Sequence, residues 1–314
     1  MRTAVILANL GAPGNLDEVK PFLKQLFSDP DIFHFPFGKP GQAFFSSMIA
    51  TLRAPKSKKF YQAIGGGSPL AANTNAQAEA LKDRFKDQPE IKVFTAQRYW
   101  HPFIAEIADE IRADGFERII LLPLFPHYST TTTLSIFNEW SRHGADLPEP
   151  LLIERFYLIP EYNQACADRI LESLPGFEST PHILFSAHSI PASRVKAGDT
   201  YVDEIRENTQ QIMAKLPSEL KHSLAFQSKV GPVKWVGPPL QNELERLINA
   251  GVEQVLVYPI SFVSEHLETL FELDIEFAEL AHKLGFKRFV RASTVQTSEK
   301  FIDVLENLVR ENLE

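Results

Sequence analysis

Residues Pro102–Pro123, PFIAEIADEIRADGFERIILLP, and Pro238–Pro259, PPLQNELERLINAGVEQVLVYP, follow one pattern 136 residues apart. In each, Pro opens an amphipathic stretch and a Gly (Gly115, Gly251) follows its end. A Glu two residues on leads into an unbroken apolar run that a second Pro closes. Proline suits the first turn of a helix, where its missing N–H is not needed, and glycine suits the left-handed residue just past a helix end. The apolar runs lack the alternation of a half-exposed strand, so they read as strands buried on both faces of a parallel sheet. The echo predicts two copies of one doubly wound α/β unit, chance likeness between helix–loop–strand units being the alternative.

Outward from these segments the alternation continues. Strands are predicted over Ala4–Asn9, Ile91–Gln97, Arg118–Phe125, Leu151–Phe156, His182–Ala187, His222–Gln227, Gln254–Ile260 and Lys287–Val290. Amphipathic stretches lie between them, among them Leu70–Phe85, Tyr201–Leu216 and Glu265–Lys283. The expected organisation is an α/β lobe over 1–147, carrying an insertion at 33–61, and a second α/β lobe over 148–314 whose last helix crosses back. In open α/β sheets ligands sit beyond the carboxyl ends of the strands, so the residues that follow strands are the informative ones.

The composition narrows the function. With 314 residues, 44% apolar and 23% charged, the chain is long enough for two cores and too apolar for disorder. A single cysteine, Cys166, excludes a disulfide scaffold and a Cys-rich metal site supplied by this chain alone. A formal net charge of −8 repels polyanions, so nucleic acid is not expected as a partner. No apolar run reaches the ~18 residues of a membrane-spanning helix. The first apolar run, AVILANL from Ala4, reads as a buried strand rather than a signal peptide, which points to the cytoplasm.

Polar residues cluster after several strands. HILFSA runs into His188, whose imidazole fits a proton acceptor or a divalent-metal ligand as well as it fits a satisfied core histidine. After QVLVYPI comes SFVSEHLETLFELD, in which Glu265, Glu268, Glu272, Glu276 and Glu279 stand three and four apart as a carboxylate row. Such a row is either a solvated helix face or a path for cations, and few basic residues interleave here to relieve its repulsion. Leu267, Leu270, Phe271, Phe277 and Leu280 form the expected apolar face of the same helix. The Gly65-Gly66-Gly67-Ser68-Pro69 loop precedes a helix and has amides able to cradle an anion, but it is no nucleotide-binding motif. No Gly-x-Ser-x-Gly elbow surrounds Ser129, Ser186 or Ser189, which disfavours a serine hydrolase. The insertion carries a stripe of Phe44, Phe45, Met48, Ile49 and Leu52 followed by Arg53, Lys56, Lys58 and Lys59. It reads as a self-packed lid, or as a lip over a flat apolar ligand that touches anionic lipid.

These stretches resemble the ferrochelatase family. The resemblance rests on ANLGAP at Ala8, Arg53-Ala54-Pro55-Lys56, YQAIGGGSPL at Tyr61, QRYWHP at Gln97, FPHYSTTTT at Phe125, FSAHSIP at Phe185, QSKVGPVKWVGP at Gln227 and PISFVSEHLETLFELDIE at Pro259. It implies two Rossmann-like lobes with a porphyrin in the cleft between them. It also implies a catalytic pair of His188 and Glu268, with Glu272 and Glu265 extending a metal or proton path. By the same likeness Arg53, Ser68 and Lys229 match positions that hold porphyrin propionates, and Leu10, Tyr61, Arg98, Tyr99 and Trp235 match the pocket walls. Cys166 matches an internal cluster cysteine of some members, but this chain carries no partner cysteines, so no [2Fe–2S] centre and no other cofactor is expected.

The chemistry so implied places ferrous iron in a macrocycle that must lose two pyrrole protons. Imidazole plus carboxylate also suits zinc and cobalt. Three alternatives stay open: coproporphyrin III in place of protoporphyrin IX, a cobalt chelatase, and a tetrapyrrole carrier without turnover. Leu10, where the coproporphyrin branch often has Tyr, favours protoporphyrin IX. Oligomeric state stays open as well, a monomer being the default.

Overall fold

The computed structural model describes residues 1–33, 35–229, 231 and 233–313. Val230 and Pro232, inside the QSKVGPVKWVGP motif, lie outside the described residues. The chain divides into two compact units. The first comprises Met1–Leu124, Thr130–Glu154 and Leu305–Glu314, the second Phe125–Ser129 and Arg155–Val304.

The first unit is built from β1 (Thr3–Asn9), α1 (Val19–Ser28), α2 (Gly38–Ala63), α3 (Leu70–Arg84), β2 (Ile91–Gln97), α4 (Ile104–Asp114), β3 (Arg118–Pro123), α5 (Thr133–His143) and β4 (Leu151–Leu152). Its four strands run parallel in the order β2-β1-β3-β4. All of β1 is buried, which is why its sequence shows no alternation. The second unit contains α6 (Pro160–Ser173), β5 (His182–His188), α7 (Ala192–Lys196), α8 (Tyr201–Met213), β6 (His222–Gln227), α9 (Leu240–Asn249), β7 (Gln254–Tyr258), a π-helix (Glu268–Phe277), α10 (Ala278–Leu284), β8 (Arg288–Arg291) and the start of α11 (Glu299–Glu311), whose residues from Leu305 on belong to the first unit. Its sheet order, β6-β5-β7-β8, is that of the first with each strand replaced by its counterpart, again all parallel.

The sequence echo falls on equivalent elements. Its first copy is α4 and β3, its second α9 and β7, and β3 and β7 hold the same place in their sheets. Gly115 and Gly251 have φ of 67° and 81°, the left-handed conformation the pattern requires. The carbonyls of Pro102 and Pro238 accept hydrogen bonds from the backbone N–H of Gln97 and Phe226, so each copy is tied to its edge strand in the same way.

At three places the structure differs from or adds to the local reading. Strand β4 is only Leu151–Leu152 rather than Leu151–Phe156, because it pairs with β3 over those two residues alone. Helix α5 was hidden behind the run of threonines that precedes it. Much of the insertion at 33–61 is one helix, α2, which runs through Pro55 and buries Ser46, Ala50 and Ala54, while Phe37, Phe44 and Leu52 are 82%, 64% and 72% exposed. Among the described residues no helix is long and apolar enough to cross a membrane.

Candidate active site

His188 ends β5, and its main chain is held at both its N–H and its carbonyl. Its N–H donates to Ser261 Oγ at 3.0 Å, and the Tyr201 hydroxyl donates to its carbonyl at 3.0 Å. Tyr201 and Ser261 share a further hydrogen bond of 2.7 Å, which closes the ring of contacts. On the side chain, Nδ1 lies 2.6 Å from the Ser189 carbonyl oxygen. A carbonyl can only accept, so Nδ1 carries the proton and the lone pair sits on Nε2. Burial lowers the pKa of the imidazole, against the pull of Glu268, and favours the neutral ring.

The segment after β7 does not continue as the α-helix its spacing predicts. Residues Glu268–Phe277 form a π-helix, anchored by Thr269 and Leu273, which are buried. Leu273 joins the core made by Leu184, Leu244, Val255 and Val257, whereas the predicted face residues Leu267, Leu270 and Phe271 are only partly buried. Phe277 and Leu280 of the predicted face pack against the same core, and π-helical turns of this kind concentrate at functional sites.

Glu268 opens the π-helix with its side chain about 35% exposed, and its Oε2 lies 2.8 Å from His266 Nδ1. Burial opposes its ionisation, but the adjacent His266 ring and, less strongly, His188 outweigh that and hold the carboxyl at about 2. Phe262 stands edge-on between the two imidazoles, 6.4 Å from His188 and 4.2 Å from His266 between ring centres. Glu272, one turn on, behaves oppositely. Burial and the negative charge of Glu268 push it up to about 7, against hydrogen bonds from Ser228 and Gln227. The site therefore pairs a neutral imidazole with one carboxylate ionised at neutral pH and one poised to exchange a proton there.

Glu265, the other expected member of the path, is held by partners of its own. It is buried, accepts from the Thr294 N–H at 2.9 Å, and pairs with Arg291, 2.9 Å away; Arg291 also grips Asp274 at 2.7 Å. Burial opposes the charge of Glu265, but Arg291 neutralises it and keeps its pKa low. Among the described residues no three His, Cys, Asp or Glu side chains come together as a metal-holding group, so the expected set of His188, Glu268, Glu272 and Glu265 is not a preformed cage.

A ferrochelatase family model matches residues 2–313. The chain belongs to the ferrochelatase family. The ferrochelatase of Aquifex aeolicus (strain VF5) is 44% identical over 314 residues, covering 99% of this chain and 99% of that protein. That of Gloeobacter violaceus (strain ATCC 29082 / PCC 7421) is 43% identical, covering 98% and 97%. In fold the chain is similar to SirB from Bacillus subtilis with Fe3+, at a TM-score of 0.61 and 12% identity, covering 99% of this chain and 95% of that one. It is also similar to CbiX, the terminal enzyme for biosynthesis of sirohaem in denitrifying bacteria, at 0.55 and 14%, with both chains fully covered. Family membership makes this chain a porphyrin metal chelatase.

The substrate-binding residues expected of a ferrochelatase fare unequally. Lys229 is exposed, and Trp235 is half-buried with its indole Nε1 lacking a hydrogen-bond partner among the described residues. In the first unit Leu10 and Ser68 are half-buried, and Arg53 is exposed with its guanidinium 5.6 Å from the Phe27 ring centre. Tyr61 is buried. Arg98 and Tyr99 are buried and engage a carboxylate of their own unit. Arg98 Nη2 lies 3.1 Å from the fully buried Asp29 carboxylate and its Nε donates to Ser135 Oγ at 2.9 Å, while the Tyr99 hydroxyl donates to Asp29 at 2.6 Å. A buried carboxylate needs a counter-charge and donors, and these two side chains supply them. The glycine loop is no anion cradle either. The amides of Gly65, Gly66 and Ser68 bond to Gln62, Tyr61 and Pro13, and a Cβ on Gly67 would sit 2.1 Å from the Gly14 carbonyl oxygen. Close backbone packing is what requires glycine there.

Sequence reasoning missed His266, Gln227, Ser228 and Arg291. His266 lies inside the SEHLETL motif two residues before Glu268, a signal that was available. Cys166 is fully buried, and burial pushes its thiol up to about 12, so it is inert at neutral pH.

Proposed function

We propose that this ferrochelatase inserts Fe2+ into protoporphyrin IX, with His188 Nε2 accepting one pyrrole proton and Glu268 supplying the charge that draws the metal to the same centre. The observation that carries the reading is the assignment of the His188 lone pair to Nε2 beside a carboxylate that stays ionised. Insertion exchanges two N–H protons for one divalent ion. His188 becomes imidazolium as it takes the first proton, and Glu272, near its own pKa at neutral pH, takes the second and returns it to solvent. Glu265, already neutralised by Arg291, is left out of this path.

Leu10 supports protoporphyrin IX over coproporphyrin III. Anaerobic Fe2+ with each porphyrin, followed by the haem spectrum, tests the choice. Faster turnover of protoporphyrin IX is expected, faster turnover of coproporphyrin III would reverse the substrate assignment, and none with either would leave a carrier. Further parts of the reading are a cytoplasmic monomer touching anionic membrane through the α2 lip, no nucleic-acid partner, and no iron–sulfur cluster, with Cys166 a structural thiol.

A further inference from the structure

We propose that Ser228, in the left-handed turn that follows β6, is a positioning residue for Glu272, with Gln227 completing the clamp. This rests on the reading of Glu272 as the second proton carrier. Ser228 has φ of 65°, a conformation that L side chains with a Cβ seldom adopt. Glycine would take it without strain, so a turn of purely structural purpose would be better served by glycine. What serine adds is a hydroxyl, and that hydroxyl donates to Glu272 Oε2.

Gln227, 2% exposed, closes the arrangement. Its Nε2 donates to the same Glu272 oxygen at 2.8 Å and to the Glu268 carbonyl at 2.9 Å, while its Oε1 accepts from Ser186 Oγ at 2.5 Å. Its own carbonyl accepts the N–H of Ser189, the residue after His188. Two side chains from one strand end therefore fix Oε2 of Glu272 and with it the orientation of the carboxyl group. Gln227 also couples the ends of β5 and β6 to the first turn of the π-helix. Strain held at such a point is the expected mark of a functional constraint.

The test compares Ser228→Gly, Ser228→Ala, Glu272→Gln and the Ser228→Gly/Glu272→Gln double variant in anaerobic assays with Fe2+ and protoporphyrin IX, with thermal melts alongside. Ser228→Gly relieves the backbone while removing the hydroxyl. Its Tm should match or exceed that of the parent, its porphyrin KM should stay within about twofold, and its kcat should fall about tenfold. Ser228→Ala should lose the same kcat without the gain in Tm. In the Glu272→Gln background Ser228→Gly should cost nothing more, since both changes act on one group. A parental kcat in Ser228→Gly beside an impaired Glu272→Gln overturns this proposal alone. A kcat loss that persists in full in the double variant also overturns it. A parental kcat in Glu272→Gln removes the reading of Glu272 and this proposal with it.

Discussion

His266 Nδ1 and Glu268 Oε2 lie 2.8 Å apart, two residues from each other in sequence. The contact joins the end of a loop to the first residue of the π-helix. It makes His266 the main influence that keeps this carboxylate charged. Removing the ring with His266→Ala should let burial dominate, so Glu268 should titrate nearer neutrality. Ionised Glu268 is the active form in this mechanism, so the acid limb of the kcat profile should move up by at least about one pH unit while activity near pH 8 suffers least. A profile of unchanged shape would show that the charge of Glu268 does not depend on this ring.

His188→Ala and Glu268→Gln should each fold normally and bind porphyrin, since neither side chain holds the core. Loss of a positioned base typically costs about 10² to 10⁴ in rate. The two losses should fall short of additive in the double variant, because both groups act on one insertion step. Retention of most of the kcat by His188→Ala would return it to the rank of a core histidine.

Arg98 distinguishes a structural role from a substrate role. With Asp29 fully buried, Arg98→Leu leaves a carboxylate without its counter-charge and should destabilise the first unit by about 3–5 kcal/mol, read from urea melts. The porphyrin KM of the folded fraction should stay near parental. A well-folded variant with a raised KM would restore Arg98 to the substrate pocket.

His127 sets a limit in acid. Its Nε2–H donates to Asn208 Oδ1 at 2.9 Å, and burial lowers its pKa to about 3 from an ordinary 6.5. The folded state resists protonation that the unfolded state accepts. This contribution is whole above about pH 6.5 and is lost as pH falls toward 3, by about 1.4 kcal/mol per pH unit. His127→Gln should flatten the stability profile between pH 4 and 6. An unchanged slope there would mean that the ring is not buried neutral.

Charging the lip should act on substrate entry. Phe44, Met48 and Leu52 are the exposed members of the α2 stripe, whereas Phe45 packs against Phe35 at 5.6 Å between ring centres. Phe44→Glu with Leu52→Glu should raise the porphyrin KM more than it lowers kcat and reduce co-sedimentation with anionic vesicles. Equal sedimentation of parent and variant would remove the membrane part of the reading.

What the sequence determined by itself was the alternation of strands and helices and the duplicated α/β unit; it also marked His188 and the carboxylate row as candidates, while the pairing of His188 with Glu268 came from the likeness to ferrochelatases. These are local signals. Apolar runs without alternation, a proline and a glycine at helix ends, and a histidine or glutamate just past a strand are all written within a few consecutive residues. The π-helix was not legible, because its choice over an α-helix depends on where Leu273 and Thr269 find the core, a question of packing at long range. The fates of the charged residues were likewise hidden. Glu265 and Glu272 look alike in a row of acids, yet Arg291, 26 residues past Glu265, neutralises one, while a strand end 45 residues before Glu272 brings Gln227 to the other. That Arg98 and Tyr99 meet Asp29, 70 residues before Tyr99, was not legible either. Spacing within a motif places side chains along one element; only the folded chain decides which distant charge each of them meets, and burial then makes that meeting strong enough to set protonation.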